Sequence, residues 1–235
     1  MCSSDLNFFS FLFPDLDTAT EGRLWIYDRA GRELRSLEYR LPHAGLHVLR
    51  LSELVGQDEG FGTLMWHVRM PDSVAAQAPV RENLVYFTDR GYLIYEKSGT
   101  QPSFIHGVDR FAVFQEQEVA RYDLFYDGPR GARSWVAEIP LRRDMQQDME
   151  IVFLNRSAVR REFTVTVCRN GGERVHEARL AVDPRGAGVV PLGSAVFDAL
   201  GDGEGYFQVD GIPTTWGRPA IMRHFAGGAM SAMHC

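Results

Sequence analysis

Along most of this chain apolar and polar residues alternate with a period of two. In EFTVTV (162–167), Phe163, Val165 and Val167 fall on one side and Glu162, Thr164 and Thr166 on the other, the pattern of a half-buried strand. Short runs of similar character recur as RLWIYD, HVLRL, TLMWHV, NLVYFTD and GYLIYE, then as MEIVFL, ARLAV, GVVPL, GYFQV, AIMRHF and AMSAM. Turn residues separate them, in RAG, PHAG, GQDEG, DRG and SGTQP. Helical spacing is confined to Ser52-Glu53-Leu54-Val55 and Ser194-Ala195-Val196-Phe197, where a serine precedes an apolar pair and predicts one capped turn. Many short strands and almost no helix predict an all-β protein of antiparallel sandwiches, immunoglobulin-like or fibronectin-like in architecture only.

The same pattern occurs twice. At a shift of 141, residues 9–31 lie over 150–172, and Gly45 falls on Gly186. GFGTLMWHV (60–68) lies over GEGYFQVDG (203–211), and SFIHG (103–107) meets SAMHC (231–235) at a shift of 128. Recurrence of strands, turns and glycines in one order predicts a tandem duplication, with a first sandwich over 7–107, a connector at 108–117 and a second sandwich over 118–235. The connector, GVDRFAVFQEQ in context, is apolar as well as charged. The units are therefore expected to pack together, with a pseudo-two-fold relationship.

The opening residues 1–6, MCSSDL, resemble a translated sequencing adaptor. Strand-like material at 119–141 in the second unit has its counterpart mostly before residue 1, so the first unit is expected to be truncated at its N-terminus. Residues 71–83 (PDSVAAQAPVREN) are an insertion found only in the first unit, and their small and polar residues suit a solvated loop.

Composition narrows the field. A net charge of −6 argues against a nucleic-acid surface, which needs a positive stripe. Lys97 is the single lysine beside 24 arginines (25 − 1), a bias of GC-rich, bacterial coding. Cys2, Cys168 and Cys235 make no disulfide framework and fix no compartment. No apolar run approaches the roughly 18–20 residues of a membrane span.

Candidate chemistry is sparse. The chain holds no GxSxG, GxGxxG, Walker, HExxH or CxxC pattern, and no cofactor is implied. Each unit closes on a histidine in the same place, His106 and His234, a pairing that suits a ligand site or a proton acceptor. The last hairpin places Met222, His224 and Met230 on one strand face, soft donors for a metal, though methionine as core filler explains two of them equally. The acidic turns GQDEG (56–60) and GDGEG (201–205) lack the spacing of a calcium loop. Asn155-Arg156-Ser157 matches a glycosylation acceptor and reads as a polar loop. Trp25 and Trp66, inside strands, read as core, whereas Trp216 beside Arg218 reads as an exposed platform.

Together these features predict a non-catalytic binding module acting through rim loops 71–83 and 212–219 on a protein or a glycan, with Trp216, Arg218, His106 and His234 as ligand contacts. The alternative is an enzyme or metal protein built on the terminal histidines, with Met222, His224 and Met230 as the metal set.

Overall fold

The period-two runs become strands. In a computed structural model, the structure describes residues 2–7, 9–56, 62–69, 71–76, 85–87, 92–95, 102–106, 111–112, 133–136, 140–144, 148–155, 159–212, 219–225 and 227–234. The N-terminal half contains β1 (Cys2–Leu6), β2 (Thr20–Tyr27), β3 (Glu33–Leu41), β4 (Leu46–Arg50), β5 (Thr63–Val68), β6 (Val85–Phe87), β7 (Tyr92–Tyr95), β8 (Ser103–His106) and β9 (Phe111–Ala112). The C-terminal half contains β10 (Arg133–Val136), β11 (Asp148–Leu154), β12 (Arg161–Arg169), β13 (Arg174–Val182), β14 (Ala187–Leu192), β15 (Gly205–Ile212), β16 (Ala220–His224) and β17 (Met230–His234). Among the described residues four short helices accompany them: α1 (Phe9–Leu12), α2 (Leu51–Val55), α3 (Asp72–Ala75) and α4 (Ser194–Leu200). The protein is all-β, with antiparallel pairing in every ladder. Among the described residues no helix is long and apolar enough to cross a membrane.

Two four-stranded sheets have the orders β4-β1-β7-β8 and β14-β11-β16-β17. Two others run β3-β2-β5 and β13-β12-β15, the latter extended by β10 on the far side of β15. Registers agree strand by strand. Thr20 pairs with Leu41 and Arg161 with Val182, and each ladder carries a bulge near its end, at Ile26/Tyr27 and at Val167/Cys168. Tyr92 pairs with His106, and Ala220 with His234. The turn before β4 has Ala44 at φ 51° and the turn before β14 has Arg185 at φ 60°, a left-handed conformation unusual for residues other than glycine.

One stretch departs from the ungapped sequence alignment. Cys2 pairs with Arg50 and Glu150 with Pro191, so β11 corresponds to β1 at a shift of 148, not to residues 9–13. Residues 9–12 are helical instead. The adaptor-like residues 2–6 thus lie as a strand between β4 and β7. Asn7 and Asn155 follow the two corresponding strands and do the same work. Asn7 Nδ2 donates to Thr18 O (2.8 Å) and Pro42 O (2.9 Å), and its backbone N–H to Gly45 O (2.9 Å). Asn155 Nδ2 donates to Val159 O (2.8 Å), Val182 O (2.9 Å) and Asp183 O (3.1 Å), and its N–H to Gly186 O (2.9 Å). At 2% exposure Asn155 is a buried turn clamp, which corrects its reading as a polar loop.

The core of the C-terminal half draws on both of its sheets. Met149, Ile151 and Phe153 of β11 meet Phe163, Val165 and Val167 of β12, and the Phe153 and Phe163 rings stack at 4.7 Å. Buried side chains of this size contribute roughly 1.5–3 kcal/mol each. In the N-terminal half Leu24, Ile26 and Leu51 form one cluster, with Leu49 and Leu93 packed on it. Helices α2 and α4 fall where expected, but their N-caps are Arg50 and Gly193, without side-chain capping. The serines lie just inside the helices rather than before them.

The halves meet through the corresponding edge strands β8 and β17 as well as through unlike turns. The β2–β3 turn reaches the β13–β14 turn, where Arg29 O accepts from Ala187 N–H (3.1 Å) and Thr63 Oγ1 donates to Gly186 O (3.2 Å). Tyr95 packs on Val152, Met222 and Ala232, and Ser103 Oγ donates to Met230 O at 2.9 Å.

Candidate functional site

Alternation along β2 decides what faces outward. Gly22, Leu24 and Ile26 are buried, so Glu21, Arg23 and Trp25 share the outer face. Trp25 is only half-buried there, which corrects its assignment to the core. The Arg23 guanidinium lies 4.9 Å from the centre of the Trp25 ring, a cation–π contact, and its Nη1 is 3.7 Å from Glu38 Oε1 on β3. Arg40 stands across from Glu21 in the β2–β3 ladder. The row therefore reads aromatic, cationic, anionic from one end of β2 to the other.

At its anionic end the row opens into a pocket of about 230 Å³ lined chiefly by Thr20, Glu21, Arg40, Arg69 and Asp72. Backbone and side chains hold this rim together. Arg69 N–H donates to Glu21 O (2.9 Å), Thr20 Oγ1 donates to Arg69 O, and Arg69 Nη2 pairs with Asp72 Oδ1 at 2.9 Å. Asp72 begins α3, the root of the 71–83 insertion. Val74 in that helix is fully buried against Phe9, Leu41 and Val68, and Ser73 Oγ donates to Asp17 O. The first part of the insertion is thus anchored rather than wholly solvated; residues 77–83 lie outside the described residues.

The lining carries guanidinium donors, carboxylate acceptors and a hydroxyl, with formal charges that balance. Among the described residues Arg40 makes no ion pair. Among the described residues the pocket lining includes neither a histidine nor a cysteine. Such an arrangement suits multidentate hydrogen bonding to a polar ligand.

The other candidate residues are dispersed. Trp216 and Arg218 lie outside the described residues. His106 and His234 occupy matching backbone positions opposite Tyr92 and Ala220, but the placement of their rings lies outside the described residues. Met222, His224 and Met230 share a face, with His224 directly across from Met230. Met222 is buried in an apolar cluster with Val152 and Ala232, on which Met230 packs. Burial beside this cluster pushes the Tyr95 phenol above its ordinary pKa. His224 Nε2 lies 3.0 Å from Glu150 Oε2, each side chain about 30% exposed. Among the described residues no three His, Cys, Asp or Glu side chains converge as a metal site. In the GDGEG turn Glu204 Oε1 lies 3.6 Å from Arg142 Nη1.

No protein-family profile matches this chain, and no curated protein matches it either.

The sequence carried a signal for the Trp25 row. In GRLWIY the alternation that buries Leu24 and Ile26 necessarily turns Arg23 and Trp25 the other way.

Proposed function

We propose that this chain is a tandem duplication of two immunoglobulin-like antiparallel β-sandwiches and serves as a non-catalytic binding module for a protein or a glycan. Duplication is supported by matching sheet orders, registers and bulges, and by the paired turn clamps of Asn7 and Asn155. The observation that carries the binding reading is the outer row Glu21-Arg23-Trp25 running into the Arg40/Arg69/Asp72 pocket. An aromatic surface beside fixed donors and acceptors recognises polar ligands that also present an apolar face, as sugar rings and peptide segments do. Residues 71–76 start at the pocket rim, and on this reading loop 71–83 supplies the remaining contacts. The 212–219 loop, with Trp216 and Arg218, is a second contact region on the same reading.

The test is a panel of immobilised glycans and peptides probed with wild type, Trp25→Ala and Arg40→Ala. A ligand that loses tenfold or more in affinity with both variants supports the site. Binding indifferent to both, or no binding across the panel, overturns it.

A second reading, a metal or proton-transfer site at the last hairpin, is favoured by one observation, the His224–Glu150 contact. It requires Met230 as a further donor. Stabilisation by Cu(I) that disappears in His224→Gln would support it, and an unchanged melting temperature would sink it.

A further inference from the structure

We infer that a second copy of this chain docks its β12–β13 turn on the outer face of β4, so that chains assemble head to tail; this rests on the duplication read above. Each half carries the same plug and the same socket, and within one chain only one pair is engaged. The plug is the five-residue turn closing the first hairpin of each half. Asp28 N–H donates to Arg32 O at 2.9 Å, and Arg169 N–H to Glu173 O at 2.9 Å. Each turn is braced by an i,i+4 ion pair of opposite polarity, Arg32 to Asp28 (2.7 Å) and Arg169 to Glu173 (2.6 Å). The socket is the turn and first residues of β4 or β14, held in one conformation by the Asn7 or Asn155 clamp.

In the engaged pair the approach is close. Pro184 O lies 1.9 Å from where a Cβ on Gly31 would stand, and Arg29 O lies 2.7 Å from the corresponding point on Gly186. Ala187, beneath the plug, is 3% exposed. The unengaged counterparts are open. Space around the Cβ positions of Gly171 and Gly172 is empty to 4 Å, and the three atoms nearest that of Gly45 all belong to Pro42 of its own turn. Leu46, which corresponds to Ala187, is 58% exposed, and Val48 two residues on is 52% exposed. An apolar pair left open on an edge strand is a site for another chain. The covered counterpart within this same molecule identifies what covers it. Because plug and socket lie on different surfaces, the contact is heterologous, and nothing in it stops growth at a dimer.

Sedimentation velocity over a wide concentration range tests this with the intact chain. Wild type is expected to exceed its 26.5 kDa monomer mass progressively, with no plateau at two copies. Leu46→Glu closes the socket and Asn170→Glu, at the exposed plug tip, closes the plug; each alone is expected to stay monomeric with an unchanged circular dichroism spectrum. Mixed one to one, they retain one good plug and one good socket between them and should form dimers that grow no further. Wild type that stays monomeric at every concentration overturns the inference, as does association that stops at a dimer or survives in either variant. Such a result leaves the duplication standing if Asn7→Ala and Asn155→Ala still destabilise alike.

Discussion

The N-terminal and C-terminal halves fill one corresponding space with different side chains. In the first, Gly22 of β2 leaves room for the Tyr39 ring, which a Cβ at position 22 would approach to 2.4 Å, and Tyr39 stacks on His47 at 4.4 Å. In the second, the corresponding three positions are Phe163, Leu180 and Gly188, and a Cβ on Gly188 would stand 2.5 Å from Leu180 Cδ2. Small, large, large in one half stands against large, large, small in the other. What the two halves have in common is the volume filled between facing strands, not the residue at any position. Two halves can therefore share one register with little identity between them.

The largest expected effect breaks the correspondence at the element both halves kept. Asn155→Ala removes three donated hydrogen bonds and leaves Val159, Val182 and Asp183 carbonyls short of a partner. A loss of about 3 kcal/mol is expected, a fall of roughly 6–12 °C in melting temperature for a chain of this length. Asn7→Ala should cost nearly as much, since its amide clamps the Thr18 and Pro42 carbonyls in the same way. Differential scanning calorimetry of both variants checks it; a negligible effect in one would mean the two turns are not equivalent.

Next comes the exchanged trio. Gly188→Ala forces Leu180 and Val182, whose Cγ2 would be 2.7 Å away, to move, at about 1–3 kcal/mol. Adding Leu180→Ala should recover part of that, giving a coupling energy above about 0.5 kcal/mol in a denaturation cycle. Additive costs would show that Leu180 already has room to shift.

How much of this was legible in the sequence follows from where the chain changed length. Arg161–Gly186 and Thr20–Gly45 are equal in length, so the bulged hairpin and its turn glycines align by eye. Twelve residues lie between Asn7 and Thr20 but five between Asn155 and Arg161, and the extra segment includes α1. An ungapped comparison slides past that insertion, which concealed both clamps. The Gly22–Tyr39–His47 compensation was hidden for another reason: it spans three strands, and no local window contains it. Trp25 was misassigned by residue type although alternation in its own strand had already placed it outside.

A smaller effect concerns acid. Burial disfavours the charged imidazole of His47 and lowers its pKa in the folded chain. The unfolded chain therefore takes up a proton first, near pH 6.5, and the folded state loses stability as pH falls from there towards the folded pKa. The corresponding Gly188 cannot titrate, so this portion of the acid sensitivity belongs to the N-terminal half. His47→Phe, which keeps the stack on Tyr39, should flatten the slope of stability against pH below about pH 6.5. An unchanged slope would mean that His47 titrates as freely as in the unfolded chain.

The smallest effect on stability carries the most about function. The outer residues Glu21, Arg23 and Trp25 correspond to Glu162, Thr164 and Thr166, and Thr166 is 6% exposed whereas Trp25 stays accessible. If the N-terminal face were merely a solvated sheet surface, a tryptophan there would be an exposed liability with no return. Trp25→Thr writes the second half's residue into the first. Removing a half-buried ring from a solvent-facing row should cost under about 1 kcal/mol, since surface changes away from core and clamps are small. The same substitution should abolish ligand capture by the Glu21-Arg23-Trp25 face. A large stability loss with capture intact would assign Trp25 to packing and leave the pocket at Arg40 and Arg69 to act without an aromatic neighbour.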